Sequence, residues 1–172
     1  MTTSGERDLS PSSSLCLECD LCCDGSIFSH FELSLSNCDR LGVDHSNSSR
    51  LYFLCQHLDG KCCSIYPSRP KICASYRCKT LTALENGDIS PAEAHDTIHR
   101  AAKLRREFEQ AIPTGITRKQ AIVCVVTDQC PEEASDEQFL RLRLAYVALQ
   151  AMVDRHMRHK GDKVVRSAMR SN

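Results

Sequence analysis

The sequence predicts a mainly α-helical protein in which a small, loop-rich cysteine and metal module packs against two or three helices. Two observations lead to this fold class. Ten of the 12 cysteines lie between positions 16 and 78. After position 80, apolar residues recur at steps of three and four, the period of an amphipathic helix. We therefore divide the chain into an N-terminal tail (1–14), a cysteine module (15–80) and a helical region with a basic C-terminal tail (81–172).

The beginning of the chain is expected to be irregular. Residues 1–14 are rich in Ser, Thr and charge and have little to bury, which predicts a mobile tail. The stretch from Asp44 to Arg50 is predicted to be an exposed loop, because its Ser, Asn and Asp side chains favour local hydrogen bonds over regular structure. The first half of the chain should therefore be loop-rich.

A long helix is predicted from about Pro91 to Ile112. Ser90 and Glu93 have the spacing of a capping box, and proline stands at the first helical position, where its missing N–H costs nothing. The apolar residues that follow recur along one face of this helix. They are Ala94, Ile98, Ala101, Leu104, Phe108 and Ala111.

A second long helix is predicted from Ser135, with Gln138 three residues on, to about Lys160, where Gly161 is a suitable terminator. Its apolar face consists of Phe139, Leu142, Ala145, Leu149, Met152 and Val153. The segment 121–129 between the two helices is apolar and β-branched, so a short buried helix and a strand both fit. We favour the helix, because no second strand is predicted nearby to pair with it.

Composition narrows the classes of function. Acidic and basic residues balance at 22 each, so no overall charge steers the protein to nucleic acid or to an anionic membrane. The chain has no apolar run long enough for a membrane span, and its first fifteen positions lack the pattern of a secretory signal. We expect a cytoplasmic protein with no membrane partner. In that reducing compartment, 12 thiols indicate metal ligation rather than disulfides.

The first cysteine block contains Cys16, Cys19, Cys22 and Cys23. Two-residue gaps allow successive thiolates to surround one centre, because a tight turn brings both sulfurs to the same side of the backbone. This spacing resembles the start of a ferredoxin-type loop, but Ser26 stands where the next cysteine of the bacterial motif would be. The remaining ligands are expected from a second block.

The second block runs from Cys55 to Cys73, with Cys78 close behind. Pro70 is predicted to open a short helix with Cys73 in its first turn, where the helix dipole favours a thiolate. Arg69 adds positive charge near several sulfurs. His57 is as good a candidate for a ligand as for a residue that orients one.

These motifs resemble the YkgJ-type cysteine-cluster family, described as a zinc- or iron-chelating domain. The resemblance covers about 16–78 and rests on CxxCxxCC, Cys55-x-His57, Cys63-x-Ile65-Tyr66 and Arg69-Pro70-x-x-Cys73. It implies a metal-ligand set made of Cys16, Cys19, Cys22, Cys23, Cys55, Cys63 and Cys73, with Cys78 as the eighth. Because Cys62 stands beside Cys63, the ligand within that pair stays open. The related flagellin lysine methylase shows that such a domain can be part of an enzyme.

The sequence leaves the cofactor open between an iron–sulfur cluster and Zn²⁺. Thiolates suit both, and eight ligands fit two zinc ions, one cluster with spare ligands, or two clusters. We favour iron–sulfur, because the two-residue gap repeats and paired zinc knuckles are absent. The leading function is a metal-binding protein with a redox role. The alternatives are a metal-dependent enzyme, for example a modification enzyme related to flagellin lysine methylase, and a structural zinc module that binds a protein partner.

Three cysteines are expected to lie outside the site. Cys38 stands in the loop region without a spacing partner, and we interpret it as a spectator thiol. Cys124 lies in an apolar run and is interpreted as a small core residue. Cys130, before Pro131, is interpreted as a turn residue.

The histidines of the helical region are expected to be solvated. His95 and His99 occur in HDTIH, which is similar to the HExxH zinc motif with Asp in place of Glu, but a helical pair of this kind normally faces water. His156 and His159 lie in a basic segment that is interpreted as a solvated, fraying helix end. Its basic residues are Arg155, Arg158, Lys160, Lys163, Arg166 and Arg170. No aromatic residues interleave with them, so nucleic-acid binding is not expected.

Overall fold

The structure, a computed structural model, describes residues 10–28, 30–42, 50–52, 54–60, 62–129, 132 and 134–161. Within these ranges the protein is mainly α, as predicted. The helices are α1 (Pro11–Cys19), α2 (Leu35–Leu41), α3 (Lys71–Ser75), α4 (Lys79–Asn86), α5 (Pro91–Ala111), α6 (Arg118–Thr127) and α7 (Asp136–His156). Two small antiparallel sheets pair β1 (His30–Glu32) with β2 (Arg50–Tyr52) and β3 (Leu58–Asp59) with β4 (Cys62–Cys63). A 3-10 turn spans Tyr66–Ser68.

Both long helices begin where the sequence predicts. At the start of α5, the Glu93 carboxylate accepts the Ser90 N–H at 2.8 Å, and the Ser90 hydroxyl accepts the Glu93 N–H. Ser135 and Gln138 form the same reciprocal pair at the start of α7. α7 ends at His156, earlier than the predicted end near Lys160, because the chain turns there and carries Arg158 into the interior.

The segment between the long helices is helical, as we favoured. Thr117 and Gln120 form a third capping box that starts α6. The box satisfies backbone N–H groups at the helix start, and this local stabilisation offsets the lower helix propensity of the β-branched residues. Asp128 ends α6 in the left-handed conformation, with φ at 58°.

The first helix begins inside the segment that was predicted as a mobile tail. Ser10 caps α1, Pro11 occupies its first turn, and Leu15 is only 2% exposed in the core. Helix α1 therefore includes residues 11–14, which were predicted as part of the tail, because capping and burial together favour the helix. Residues 1–9, and 43–49 of the predicted exposed loop, lie outside the described residues, and Arg50 begins β2.

The main hydrophobic core joins the cysteine module to the helical region. α5 packs along α7, and α1 packs on α4 and α5. Phe108, Leu142 and Val153 from the long helices share this core with Leu21 and Ile27, which belong to the loop after α1. Among the described residues, no helix combines the length and the apolar character needed to cross a bilayer. The cysteine module therefore packs directly on the helical region.

Candidate metal centre

Eight cysteine side chains line one cavity of about 90 Å³. They are Cys16, Cys19, Cys22, Cys23, Cys55, Cys63, Cys73 and Cys78. These are the eight positions that the sequence nominated as ligands. Of the adjacent pair in β4, Cys63 lines the cavity, whereas Cys62 is exposed and does not. The structure therefore brings together residues that are up to 62 positions apart in the chain (16 to 78).

The first four cysteines lie on a helix and the turn that follows it. Cys16 and Cys19 are three residues apart in α1, which places both on one helix face. This corrects the expectation of a tight turn between them. Asp20 then adopts a left-handed conformation with φ at 48°, and its carbonyl accepts the Cys23 N–H at 2.8 Å. The chain thereby reverses, and Cys22 and Cys23 also face the cavity.

The other four cysteines come from short elements around the cavity. Cys55 precedes β3, and its N–H donates to the carbonyl of Cys23 at 2.9 Å, which joins the two blocks. Cys63 lies in β4 opposite Leu58. Cys73 is the third residue of α3, so it lies in the first helical turn as predicted. Cys78 caps α4, and its sulfur accepts the Leu81 N–H at 3.4 Å.

The electrostatic effects of the eight sulfurs on one another group them into two sets of four, with weaker effects between Cys22 and Cys23 and between Cys16 and Cys23. After burial, the strongest influences that raise the pKa of Cys22 are the sulfurs of Cys19, Cys78 and Cys16. We call these four residues set A. The pKa of Cys23 is raised to about 12 by burial and then by the sulfurs of Cys55, Cys63 and Cys73. These four residues are set B. The consecutive residues Cys22 and Cys23 thus belong to different sets.

The cavity suits thiolates only when a positive centre is present. Burial, followed by the sulfurs of Cys55 and Cys63, raises the pKa of Cys73 to about 11, although Arg69 acts in the opposite direction. Burial also raises the pKa of Cys19 and Cys78. Thiols in such surroundings stay protonated at neutral pH, whereas metal coordination deprotonates them. The donor set therefore fits a cationic group bound between the sulfurs.

The spacing of the sulfurs bears on the kind of group. Four sulfurs bound to one zinc ion at about 2.3 Å stand about 3.8 Å apart. Among the described residues, the only three ligand atoms that all lie within 4.8 Å of one another belong to Glu18, His95 and His99. In neither set, therefore, do three sulfurs all lie within 4.8 Å of one another, as they would around a single tetrahedral ion.

Backbone N–H groups point at several of the sulfurs. Those of His57 and Leu58 donate to Cys55, and they lower its pKa against the larger effect of burial. The N–H of Leu21 donates in the same way to Cys19. Such bonds stabilise negative charge on sulfur and tune the potential of an iron–sulfur cluster. His57 also lines the cavity, so both interpretations of this residue stay open.

A buried ion pair anchors the turn that carries Cys22 and Cys23. Arg105 of α5 donates through Nη1 to Oδ2 of Asp20 at 2.9 Å and to Oδ2 of Asp24 at 3.1 Å. The side chains of Asp20 and Asp24 are 3% and 2% exposed, and that of Arg105 is 11% exposed. Asp20 and Asp24 lie within the first cysteine block, and such residues need a cationic partner if they are buried. The sequence does not indicate which arginine is that partner.

Two further arginines bind the same loop. Arg118 of α6 donates to the Asp24 carbonyl and, at 3.0 Å, to the Ser26 hydroxyl. Arg158, after α7, donates to the carbonyls of Ser26 at 2.9 Å and Ile27 at 3.0 Å. Arg158 is buried, so its assignment to a solvated, fraying end was wrong. Sequence periodicity could not reveal this, because Arg158 reaches the loop from beyond the end of α7.

The three cysteines assigned outside the site do not line the cavity where the structure describes them. Cys38 lies in α2 rather than in a loop, and it is buried with Leu33 and Leu41. Cys124 is half-buried in α6 and packs against the main core, as expected. Cys130 lies outside the described residues.

The structure is that of a mainly helical protein in which eight cysteines line one cavity. Comparison with protein-family models, curated proteins and solved structures found no match. The resemblance to the YkgJ-type family therefore stays a prediction that rests on the motif residues alone.

Proposed function

We propose that the protein binds two iron–sulfur clusters and transfers electrons through them. Set A (Cys16, Cys19, Cys22, Cys78) would hold one cluster and set B (Cys23, Cys55, Cys63, Cys73) the other. The observation that carries the proposal is that eight cysteine side chains line one cavity. The mutual effects of their sulfurs on pKa support the assignment to two sets of four. Four thiolates are the usual ligands of both [2Fe–2S] and [4Fe–4S] clusters.

The geometry favours clusters over zinc for two reasons. In a [4Fe–4S] cluster each thiolate binds a different iron, so its four sulfurs stand further apart than they do around one ion. Among the described residues, no three sulfurs all lie within 4.8 Å of one another, which supports this arrangement. In addition, the cavity of about 90 Å³ is several times the roughly 10–15 Å³ that one water needs. A closed zinc site with four thiolates would leave no such space.

The number of ligands favours electron transfer over catalysis at the same centre. Four protein ligands complete the coordination of each cluster, whereas a catalytic metal keeps an open position for water or substrate. When bound, an iron–sulfur cluster supplies a redox couple whose potential depends on N–H···S bonds and solvent exposure. The chain contributes those N–H groups at Cys19, Cys55 and Cys78. A reducing compartment suits such a site, so the proposal includes a cytoplasmic location.

The test is anaerobic purification, followed by measurement of iron, zinc and acid-labile sulfide and by an absorption spectrum. We expect a brown protein with about eight irons and eight sulfides per chain if both clusters are [4Fe–4S]. Cys19→Ala and Cys73→Ala should each remove about half of the iron, because they disrupt different sets. Alanine is used because a serine oxygen can replace a thiolate as a ligand.

Cys62→Ala is the matched control, since Cys62 adjoins a proposed ligand but is exposed and lies outside the cavity lining. Its iron content should equal that of the wild type. A colourless protein with two zinc ions and no sulfide would overturn the proposal. Full iron content in both Cys19→Ala and Cys73→Ala would overturn the assignment of the two sets.

A further inference from the structure

A second group of metal-ligating side chains lies outside the cysteine cavity. Glu18 of α1 and His95 and His99 of α5 place one ligand atom each within 4.8 Å of the other two. Oε2 of Glu18 lies 3.1 Å from Nδ1 of His95. None of the three residues lines the cysteine cavity. The histidine pair that was expected to face water is therefore joined by a carboxylate from another helix.

We propose that Glu18, His95 and His99 bind one divalent transition-metal ion of the zinc or ferrous-iron type. Two imidazoles and one carboxylate select such ions, because calcium and magnesium prefer all-oxygen sites. Three protein ligands leave at least one position open for water or another small ligand. The exposure of the group gives solvent access to that position: Glu18 and His99 are exposed, and the side chain of His95 is 31% exposed.

The backbone around the three side chains is held by the core. Leu15 lies three residues before Glu18 on α1, while Ala94 and Ile98 adjoin the two histidines on α5, and all three belong to the main buried cluster. α1 and α5 pack directly on each other. The separation of the ligands is therefore set by rigid helices rather than by mobile loops, which is what a preorganised metal site needs.

The carboxylate has a partner that orients it. Oγ of Ser14, one turn earlier on α1, donates to Oε1 of Glu18 at 3.0 Å. The other carboxylate oxygen, Oε2, is the one near His95. Hydrogen bonds of this kind to a metal-binding carboxylate fix its orientation and increase metal affinity. A simple surface ion pair between Glu18 and His95 would not require His99 to approach both of them.

The site shares a helix with set A but faces a different direction. Glu18 follows Cys16 by two residues and precedes Cys19 by one. Helical neighbours at these spacings do not share a face, so α1 presents the cysteines to the cavity and Glu18 to α5. The metal site does not depend on what the cysteines bind.

The test uses the full chain as purified anaerobically, with its cysteine centres occupied, and adds Zn²⁺. We expect one additional zinc per chain, and X-ray absorption at the zinc edge should show a nitrogen and oxygen shell at about 2.0–2.1 Å rather than sulfur at about 2.3 Å. His99→Ala and Glu18→Ala should each weaken binding by about tenfold or more, with unchanged iron and sulfide content. His156→Gln and Glu107→Gln are the controls for removal of a histidine and of an exposed glutamate, and they should bind zinc normally.

The proposal is overturned if no additional zinc binds, if the added zinc has only a sulfur shell, or if either His99→Ala or Glu18→Ala binds zinc as tightly as the wild type. Circular dichroism and the melting temperature of each variant show whether it is folded. If the cysteines are found to hold zinc, the proposed iron–sulfur function fails, but the extra zinc with nitrogen and oxygen ligands still tests this site separately.

Discussion

Arg105 lies 2.9 Å from the carboxylate of Asp20, and the same nitrogen reaches Asp24 on the far side of the turn that carries Cys22 and Cys23. One guanidinium from α5 therefore closes the cysteine turn. Because all three groups are largely buried, each depends on the others for compensation of its charge. The helical region fixes the position of sulfurs from both set A and set B through this contact.

Removal of Arg105 should destabilise the fold and reduce metal content. Arg105→Ala removes the arginine bound to Asp20 and leaves Asp24 with the more distant Arg118, 3.7 Å away. Loss of one partner of a buried ion pair costs about 3–5 kcal/mol. Urea unfolding measures the loss, and iron analysis measures the effect on the centres. Arg106→Ala, which alters an exposed neighbour on the same helix, should change neither.

A triple variant separates charge compensation from packing. Arg105→Met combined with Asp20→Asn and Asp24→Asn removes the buried charges together, so it should be more stable than Arg105→Ala. If the triple variant is the less stable of the two, the role assigned to the ion pair is wrong.

Loss of Arg158 should destabilise the loop that follows α1. Arg158→Ala leaves the carbonyls of Ser26 and Ile27 without their donors, and bonds from a charged group are worth about 1.5–3 kcal/mol each. We expect a lower urea midpoint and faster hydrogen exchange in the loop. Arg155→Ala, which alters an exposed residue of α7, is the control. Equal midpoints for the two variants would contradict a role for Arg158 in anchoring the loop.

The metal-free protein should lose stability at high pH. Burial and neighbouring sulfurs raise the pKa of Cys73 to about 11 and that of Cys23 to about 12, from an ordinary value of 9.0. The folded state therefore holds these protons more tightly than the unfolded state does. This contribution is complete below pH 9.0 and disappears as the pH rises through about 11 to 12.

Urea unfolding of the metal-free protein at a series of pH values between 7 and about 11 measures this dependence. Cys73→Ala should show a smaller decrease in the free energy of unfolding above pH 9.0, because one of the raised pKa values is gone. If the free energy of unfolding of the metal-free wild type increases with pH over this range, the buried thiols are not protonated as proposed.

The two proposed clusters should interact magnetically. Cys22 and Cys23 are consecutive, so ligands of the two sets are only about 3.8 Å apart at their Cα atoms. Electron paramagnetic resonance of the fully reduced protein should show a broadened spectrum of two coupled spins. Cys23→Ala should leave the simple signal of the set A cluster. A sum of two independent signals in the wild type would contradict the close arrangement of the sets.

The helices of the second half of the protein were predicted better from the sequence than those of the first half. The starts of α5 and α7 were predicted correctly, because Ser90–Glu93 and Ser135–Gln138 are contacts within one helical turn. The start of α1 was missed, although Ser10 and Pro11 are the same kind of signal, since the surrounding polar composition suggested a mobile tail. The burial of Leu15 stabilises α1, and burial depends on the whole fold rather than on the local sequence.

The sequence by itself determined the helical class and the starts of the long helices, because periodicity and capping are local properties. The resemblance of its motifs to a known family nominated the eight cysteines that line the cavity. Only the tertiary structure decided how those sulfurs divide into set A and set B, and that Arg105 and Arg158 hold their loop. It also brought Glu18 to His95 and His99. These relations join residues of different elements, and they depend on the left-handed turn at Asp20 and on how α1 docks against α5, which no local pattern encodes.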